Sequence, residues 1–242
     1  MKTDKVKKYP LNEYYSHIYR RYDLINKLFT FSLDRRWRRQ AVNTCLSYHP
    51  EKVLDLCSGT GEIAIRISEL AENDLRIVAY DSNEKMLLLA NKKAQNKKLK
   101  NIEFILGDAA RLPFEDKSFD CIAIAFGFRN LTYNNKAGKK NVMEMNRILR
   151  EKGKLIILES GIPKNIFIKV LYRAYLRILL IPLGGLISGN WQAYKYLAES
   201  SVNFYSPTEI RQLLKNYNFH LISQRNYFLG VANLIVAEKM KV

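Results

Sequence analysis

Cysteine is scarce in this 242-residue chain: only Cys45, Cys57 and Cys121. None has a neighbour at metal-ligand spacing, and three thiols inside apolar stretches do not make a disulfide framework. The expectation is reduced thiols in a cytosolic protein. Histidine is equally rare. His17 falls on an N-terminal helical pattern, where it could approach a substrate. His49 precedes Pro50 in a loop, and His220 begins a late strand. The opening stretch, MKTDKVKKYPLNEYYS, has no apolar core, so no secretory signal is visible. Internal repeats and low-complexity tracts are absent as well. Acids are few: 23 against 40 Lys and Arg, a formal net charge of +17. That balance attracts polyanions, either nucleic acid or an anionic membrane surface. A lysine-rich source organism would account for it equally well.

What is present is informative. Val53 to Ala64 reads V-L-D-L-C-S-G-T-G-E-I-A. An apolar strand ends near Asp55, Gly59-Thr60-Gly61 makes a tight turn, and Glu62-Ile63-Ala64-Ile65 starts a helical period. Glycine permits positive φ and lets a ligand approach the backbone. A second apolar strand ends in Asp81, twenty residues after Gly61. An acid there is placed to bind a ribose hydroxyl pair. The loop alone also fits a dinucleotide fold. Three details favour S-adenosylmethionine. Asp55 lies where a carboxylate can orient the loop and the amino-acid part of the ligand, and where it would repel a pyrophosphate. A third strand ends in Asp108-Ala109, which suits an adenine amino group and ring nitrogen. A fourth strand, Phe119 to Phe126, follows at the spacing a methyltransferase needs, with Ala125 at its end.

Around these motifs strands alternate with helices: strand 52–56, helix 61–72, strand 75–80, helix 83–97, strands 102–106 and 119–126, helix 135–150, strand 154–159. Such alternation predicts a parallel sheet covered on both faces. A helix from Pro207 to Tyr217 and strands near 219–227 and 230–238 close the chain, as in class I methyltransferases. The expected fold is α/β and Rossmann-like, a mostly parallel seven-stranded sheet with an antiparallel last strand. The chain is expected to form one domain: a helical lid over 1–48, a cofactor-binding core over 49–160, a helical insert over 161–205 and a closing helix and hairpin over 206–242. Residues 1–8 are expected to fray. The lid pattern places Tyr15, Ile18, Tyr19, Tyr22, Ile25, Leu28 and Phe29 on one helical stripe. In the insert, Asn165 to Leu180 is strongly apolar, but Lys169, Arg173 and Arg177 fall four apart, and Pro182 with Gly184-Gly185 is expected to end it. A spanning helix needs about 20 apolar residues without such charges, so an interfacial helix or a plain cap on the sheet is expected.

The chain resembles the C-methyltransferases that finish menaquinone and ubiquinone biosynthesis, over almost its whole length. Tyr22 to Trp37, Y-D-L-I-N-K-L-F-T-F-S-L-D-R-R-W, is close to that family's Y-D-x-x-N…S-x-x-x-H-x-x-W. Ala125 to Asn130, A-F-G-F-R-N, matches F-G-[IL]-R-N. Arg147 to Ser160 and Tyr194 to Tyr205 carry two further family patterns. Two departures stand out: Asp34 where the family usually has histidine, and Glu151-Lys152-Gly153 in place of a Pro-Gly-Gly turn. The resemblance implies S-adenosylmethionine-dependent C-methylation of a reduced polyprenyl quinone, first of all 2-demethylmenaquinol, by a cytoplasmic protein in peripheral contact with an anionic membrane. It leaves the benzoquinol step and a homodimer open.

Methyl transfer from a sulfonium needs alignment of the reacting atoms and a nucleophile. A phenol of pKa about 10 is mostly protonated at neutral pH, so the phenolate must be favoured. Arg129, a permanent cation after the fourth strand, is the leading candidate. Asn130 would bond the ring oxygen or hold the loop. Tyr22, Asp23 and Asn26 would come from the lid, with Asp23 or Asp34 relaying a proton. The Arg35-Arg36-Trp37-Arg38-Arg39 cluster reads first as a solvated helix face, with phosphate contacts to RNA or anionic lipid headgroups as two alternatives that would use it. A nucleic-acid methyltransferase is disfavoured: no N-P-P-Y-like motif follows the fourth strand, and Cys121 lacks a P-C turn and reads as buried core. No nucleic-acid partner is expected. A third reading, a cofactor-binding scaffold without catalysis, would require Arg129 and the lid to be dispensable.

Overall fold

The computed structural model describes residues 10–71 and 75–241. The expected fraying over residues 1–8, and residue 72 at the expected end of a helix, lie outside the described residues. Two helices open the chain, α1 (Leu11–Phe29) and α2 (Leu33–Leu46). The alternating core follows: β1 (Lys52–Leu56), α3 (Glu62–Leu70), β2 (Arg76–Asp81), α4 (Glu84–Asn96), β3 (Ile102–Leu106), β4 (Phe119–Ala125), α5 (Phe128–Thr132), α6 (Gly138–Ile148) and β5 (Leu149–Ser160). The insert comprises α7 (Ile166–Tyr175), a π-helical segment (Leu176–Leu180), α8 (Ile181–Ser188) and α9 (Trp191–Asn203). Then come α10 (Pro207–Asn216), β6 (Phe219–Tyr227) and β7 (Ala232–Lys239).

The seven strands lie in the order β3-β2-β1-β4-β5-β7-β6. β1 to β5 pair in parallel, and β7 runs antiparallel to both its neighbours. The mostly parallel sheet with an antiparallel closing hairpin is the architecture the alternation predicts. Side-chain alternation along the strands divides the core in two. Leu54, Leu56, Ile122 and Ile124 face Val142 and Met145 of α6 and Ile210 and Leu214 of α10. Val53, Ile77, Cys121 and Ala123 face Trp37, Val42 and Cys45 of α2 and Ile63 and Ile67 of α3. Cys121 is thus buried core, its Sγ 3.1 Å from that of Cys45. A third apolar cluster stands apart: Ile18 and Ile25 of α1 with Leu176, Leu180, Ala193 and Tyr194. Lid and insert therefore pack as one body.

Three local expectations are corrected. β5 begins at Leu149, which pairs with Phe119; the register then shifts, with Lys152 at φ +62°, before Lys154 pairs with Cys121. Residues 128–132 form the short helix α5, ahead of the expected one. Pro182 and Gly184-Gly185 do not end the insert helix. Pro182 directly follows the π-helical segment, where the i→i−4 ladder is already interrupted and a missing N–H is accommodated. The glycines admit the rings of α9: a Cβ on Gly184 would lie 2.4 Å from Tyr194, and one on Gly185 2.5 Å from Trp191. The helix runs on to Gly189, whose φ of +74° terminates it.

Candidate active site

Two cavities meet at the carboxyl ends of β1 and β4. The helices that follow these neighbouring strands pack on opposite faces of the sheet, which opens a crevice between them. Cys57 after β1 and Phe126 after β4, which flank it, both adopt positive φ, +59° and +60°.

The smaller cavity, about 320 Å³, runs from the glycine loop to the end of β3. Gly59, Thr60, Asp81, Asp108, Ala109 and Ala125 line it. The Asp81 carboxylate accepts the Gly59 N–H at 2.8 Å on one oxygen and the Asn83 N–H at 2.8 Å on the other. Each oxygen keeps a lone pair for a hydroxyl, which fits a ribose diol. Burial raises the Asp81 carboxyl above its ordinary range, opposed by these backbone N–H groups. Asp108 caps its own loop, accepting the Ala110 N–H at 2.9 Å. The Asn141 Oδ1 lines the same cavity, buried and without a partner. These features fit an adenosine-type ligand: a paired acceptor at one point and unpartnered polar atoms at another.

Two predicted loop residues do not face that cavity. Gly61 lines neither cavity; at φ +79° its missing Cβ lets α3 approach α4, where a methyl would lie 2.8 Å from Ala90. Asp55 also lines neither. Its buried carboxylate accepts the Ala64 N–H at 3.0 Å and so orients the loop. Burial pushes its pKa up to about 7.

The larger cavity, about 470 Å³, is lined mostly by apolar and aromatic side chains of α1, α2 and the insert. Tyr22, Asn26, Asp34 and Arg129 line it. Arg129 donates from Nη1 to Glu159 at 3.0 Å and to Ser160 Oγ, and its backbone N–H reaches the same carboxylate at 2.9 Å. Its Nε is buried without a partner. Asn130, next on α5, faces the smaller cavity. It donates to the Tyr15 hydroxyl at 2.9 Å and accepts from the Tyr196 hydroxyl at 2.8 Å, so it spans lid and insert. Burial raises the phenol pKa values of Tyr15 and Tyr22, and pushes that of Tyr172 to about 12. Leu11, Tyr15, Tyr22, Arg38 and Phe126 line both cavities and mark their junction.

Other predicted residues lie elsewhere. Asp23 lines neither cavity; it accepts Thr60 Oγ1 at 2.7 Å and Lys93 Nζ at 2.6 Å, tying α1 to the glycine loop and α4. His17 is exposed, its Nδ1 2.7 Å from the Glu13 carbonyl. Asp34, at the position of the family's histidine, accepts the Thr30 hydroxyl at 2.8 Å and lies 3.8 Å from Arg38. The basic cluster divides. Arg35, Arg36 and Arg39 are exposed as expected, whereas Arg38 is buried beside Trp37. The spacing of Asp34, Trp37, Arg38, Ala41 and Cys45 on one helical stripe was the available signal. Asn83 was also missed. Its buried amide donates to Asn12 of α1 and caps α4.

Comparisons with known proteins agree with this geometry. A sequence profile described as "ubiE/COQ5 methyltransferase family" matches residues 2–239. A demethylmenaquinone methyltransferase of Thermotoga maritima is 39% identical over 97% of the chain and 97% of its own length. A ubiquinone/menaquinone biosynthesis C-methyltransferase UbiE of Rickettsia felis is 38% identical over 99% of the chain and 96% of its own. Among solved structures, an S-adenosylmethionine-dependent methyltransferase from Clostridium acetobutylicum superimposes with a TM-score of 0.64, at 14% identity, over 90% of this chain and 97% of that one.

Proposed function

The chain belongs to the ubiE/COQ5 methyltransferase family, and from that premise we propose that it methylates a ring carbon of a reduced polyprenyl quinone, 2-demethylmenaquinol first. It is an S-adenosylmethionine-dependent methyltransferase, and the cofactor when bound supplies the methyl group. The observation that carries the substrate reading is the tyrosine-lined, largely apolar cavity that meets the cofactor cavity at Tyr15, Tyr22, Arg38 and Phe126. A planar hydrophobic ring with two hydroxyls suits such walls.

In this reading Gly59, Thr60, Asp81, Asp108, Ala109 and Ala125 hold the cofactor. Arg129 favours the phenolate: Glu159 fixes one arm of its guanidinium, and Nε remains for a ring oxygen. Asn130 holds Tyr15 by donating to its oxygen, which leaves the Tyr15 proton for a second ring oxygen. Asp23 acts as a tether of the lid and not as a proton relay. Water is kept out by the lid and insert, which share one apolar cluster.

Peripheral contact with an anionic membrane belongs to the same proposal. No helix among the described residues is long and apolar enough to cross a membrane. Phe31, Leu171, Phe228 and Leu229 line the larger cavity and are exposed at its mouth. Phe167, Ile178 and Leu186 are exposed apolar side chains on the insert, and Arg173 and Arg177 stand exposed on it as well. A substrate with a prenyl tail would pass from bilayer to cavity across these side chains.

The deciding experiment is mass spectrometry of the quinone pool in cells with and without the protein, paired with methylation of demethylmenaquinol by the purified chain. Accumulation of the demethyl naphthoquinone on loss is the expected result. An unchanged quinone pool, with no methylation in vitro, would refute the substrate.

A further inference from the structure

Arg38 is the only cationic side chain that lines the cofactor cavity among the described residues. Its acidic counterparts there are Glu62, Asp81 and Asp108. The methyl donor brings one carboxylate together with an ammonium and a sulfonium. A carboxylate entering a cavity of acids needs a cation, and a planar guanidinium suits it best.

Arg38 has the attributes of such an anchor. It is 9% exposed, and its Nε is buried without a partner. The nearest carboxylate, Asp34, lies 3.8 Å from that Nε, an ion-pair distance and too long for a hydrogen bond. The guanidinium sits 5.0 Å from the centre of the Phe126 ring. A buried cation whose donors are unsatisfied is costly. Here the arrangement is held from behind: Thr30 donates to Asp34, and Asp34 faces Arg38. The place is also right. Phe126 follows β4, and the field of Arg38 reaches Asp55 beneath the glycine loop.

We propose that Arg38 binds the α-carboxylate of S-adenosylmethionine, using donors that no protein group satisfies, and so fixes the methionine end at the junction of the two cavities. Asp34 is its positioning residue. The proposal rests on the cofactor and not on the quinol. A wrong substrate ring would leave it standing.

Calorimetry with two ligands tests it: S-adenosylmethionine, and its decarboxylated analogue, which lacks only the carboxylate. Arg38→Met should weaken the first by at least about tenfold, the loss of one charge-assisted contact. Binding of the analogue should be unchanged, which also reports that the variant is folded and its adenosine site intact. Arg38→Lys should recover part of the loss, because the charge returns without the planar fork. Equal losses for both ligands would make Arg38 a structural residue. Full affinity for S-adenosylmethionine with a raised KM for quinol would assign Arg38 to the quinol oxygen. Either result overturns the proposal.

Discussion

Replacing Arg129 with alanine removes the cationic half of a pair nearly sealed from water, with side chains 2% and 1% exposed. Glu159 would keep three of its donors: the backbone N–H of residue 129, the Ser160 N–H and the Ser160 hydroxyl. Its charge would nonetheless lose its counter-ion. Breaking a buried pair from one side costs about 3–5 kcal/mol, and the retained donors place this case at about 3. In a domain of this size that lowers Tm by about 6–12 °C. Circular dichroism melts of the parent, Arg129→Ala, and Arg129→Ala with Glu159→Gln would read it. The second substitution removes the orphaned charge and should return part of the lost Tm. Turnover should be measured well below the melt, where loss of one electrostatic stabiliser lowers the rate around a hundredfold. Cofactor affinity should stay within a small factor, since Arg129 does not line that cavity. A single variant melting within about 2 °C of the parent would refute the energetic reasoning. A folded variant with normal turnover would reduce Arg129 to a structural role.

Asp81→Ala should weaken S-adenosylmethionine by at least about tenfold in calorimetry, because two hydroxyl contacts to a carboxylate disappear; unchanged affinity in a folded variant would remove the ribose assignment. Changing Lys169, Arg173 and Arg177 together to Glu should reduce co-sedimentation with anionic vesicles, each charge contributing roughly 1 kcal/mol near the surface. The apparent KM for a long-tailed quinol should rise while a soluble short-tailed analogue is methylated as before, and no change in either assay would leave the insert a plain cap. Asp55 has a pH signature. Its folded pKa of about 7 lies above the ordinary 3.8, so the stability it contributes is complete below about pH 4 and is lost as pH rises to about 7. The gap corresponds to an upper bound of about 4 kcal/mol. Asp55→Asn keeps an acceptor for Ala64 and should flatten that part of the stability profile; a variant with the parent's pH dependence would show that Asp55 is ionised when buried.

The sequence was most legible where local chemistry decides the structure. The apolar run into Gly59-Thr60-Gly61 gives a strand, a turn and a helix without outside help, and Asp81 falls where the next strand must end. Less was legible where two distant segments meet. Arg38 looks like its exposed neighbours until α2 is laid against β5 and β4, because helical periodicity reveals a buried stripe and not what covers it. Asp23 looks catalytic beside Tyr22, yet a helix turns adjacent residues about 100° apart, and that rotation carries it to Lys93. Asn130 could have held a ring oxygen or the loop, and the choice depended on two tyrosines far away in sequence. Gly184-Gly185 carries the usual sign of a helix end, but the rings that need the space belong to a later helix.

The π-helical turn between α7 and α8 limits how this lid can evolve. Its Ile181 N–H bonds to the Leu176 carbonyl, so the helix holds one residue more than a regular turn at that point. Deleting one residue of 176–180 would restore the ordinary ladder and leave the helix beyond facing as before, whereas deleting one from the regular turns of α7 would rotate everything beyond by about 100°. The glycine notch would then turn from Tyr194 and Trp191, and Leu180 would leave the cluster it shares with Ile18 and Ile25. Lineages of this protein should therefore tolerate point changes throughout the exposed face of the insert, while insertions and deletions collect in the loops on either side and at the π-helical turn itself.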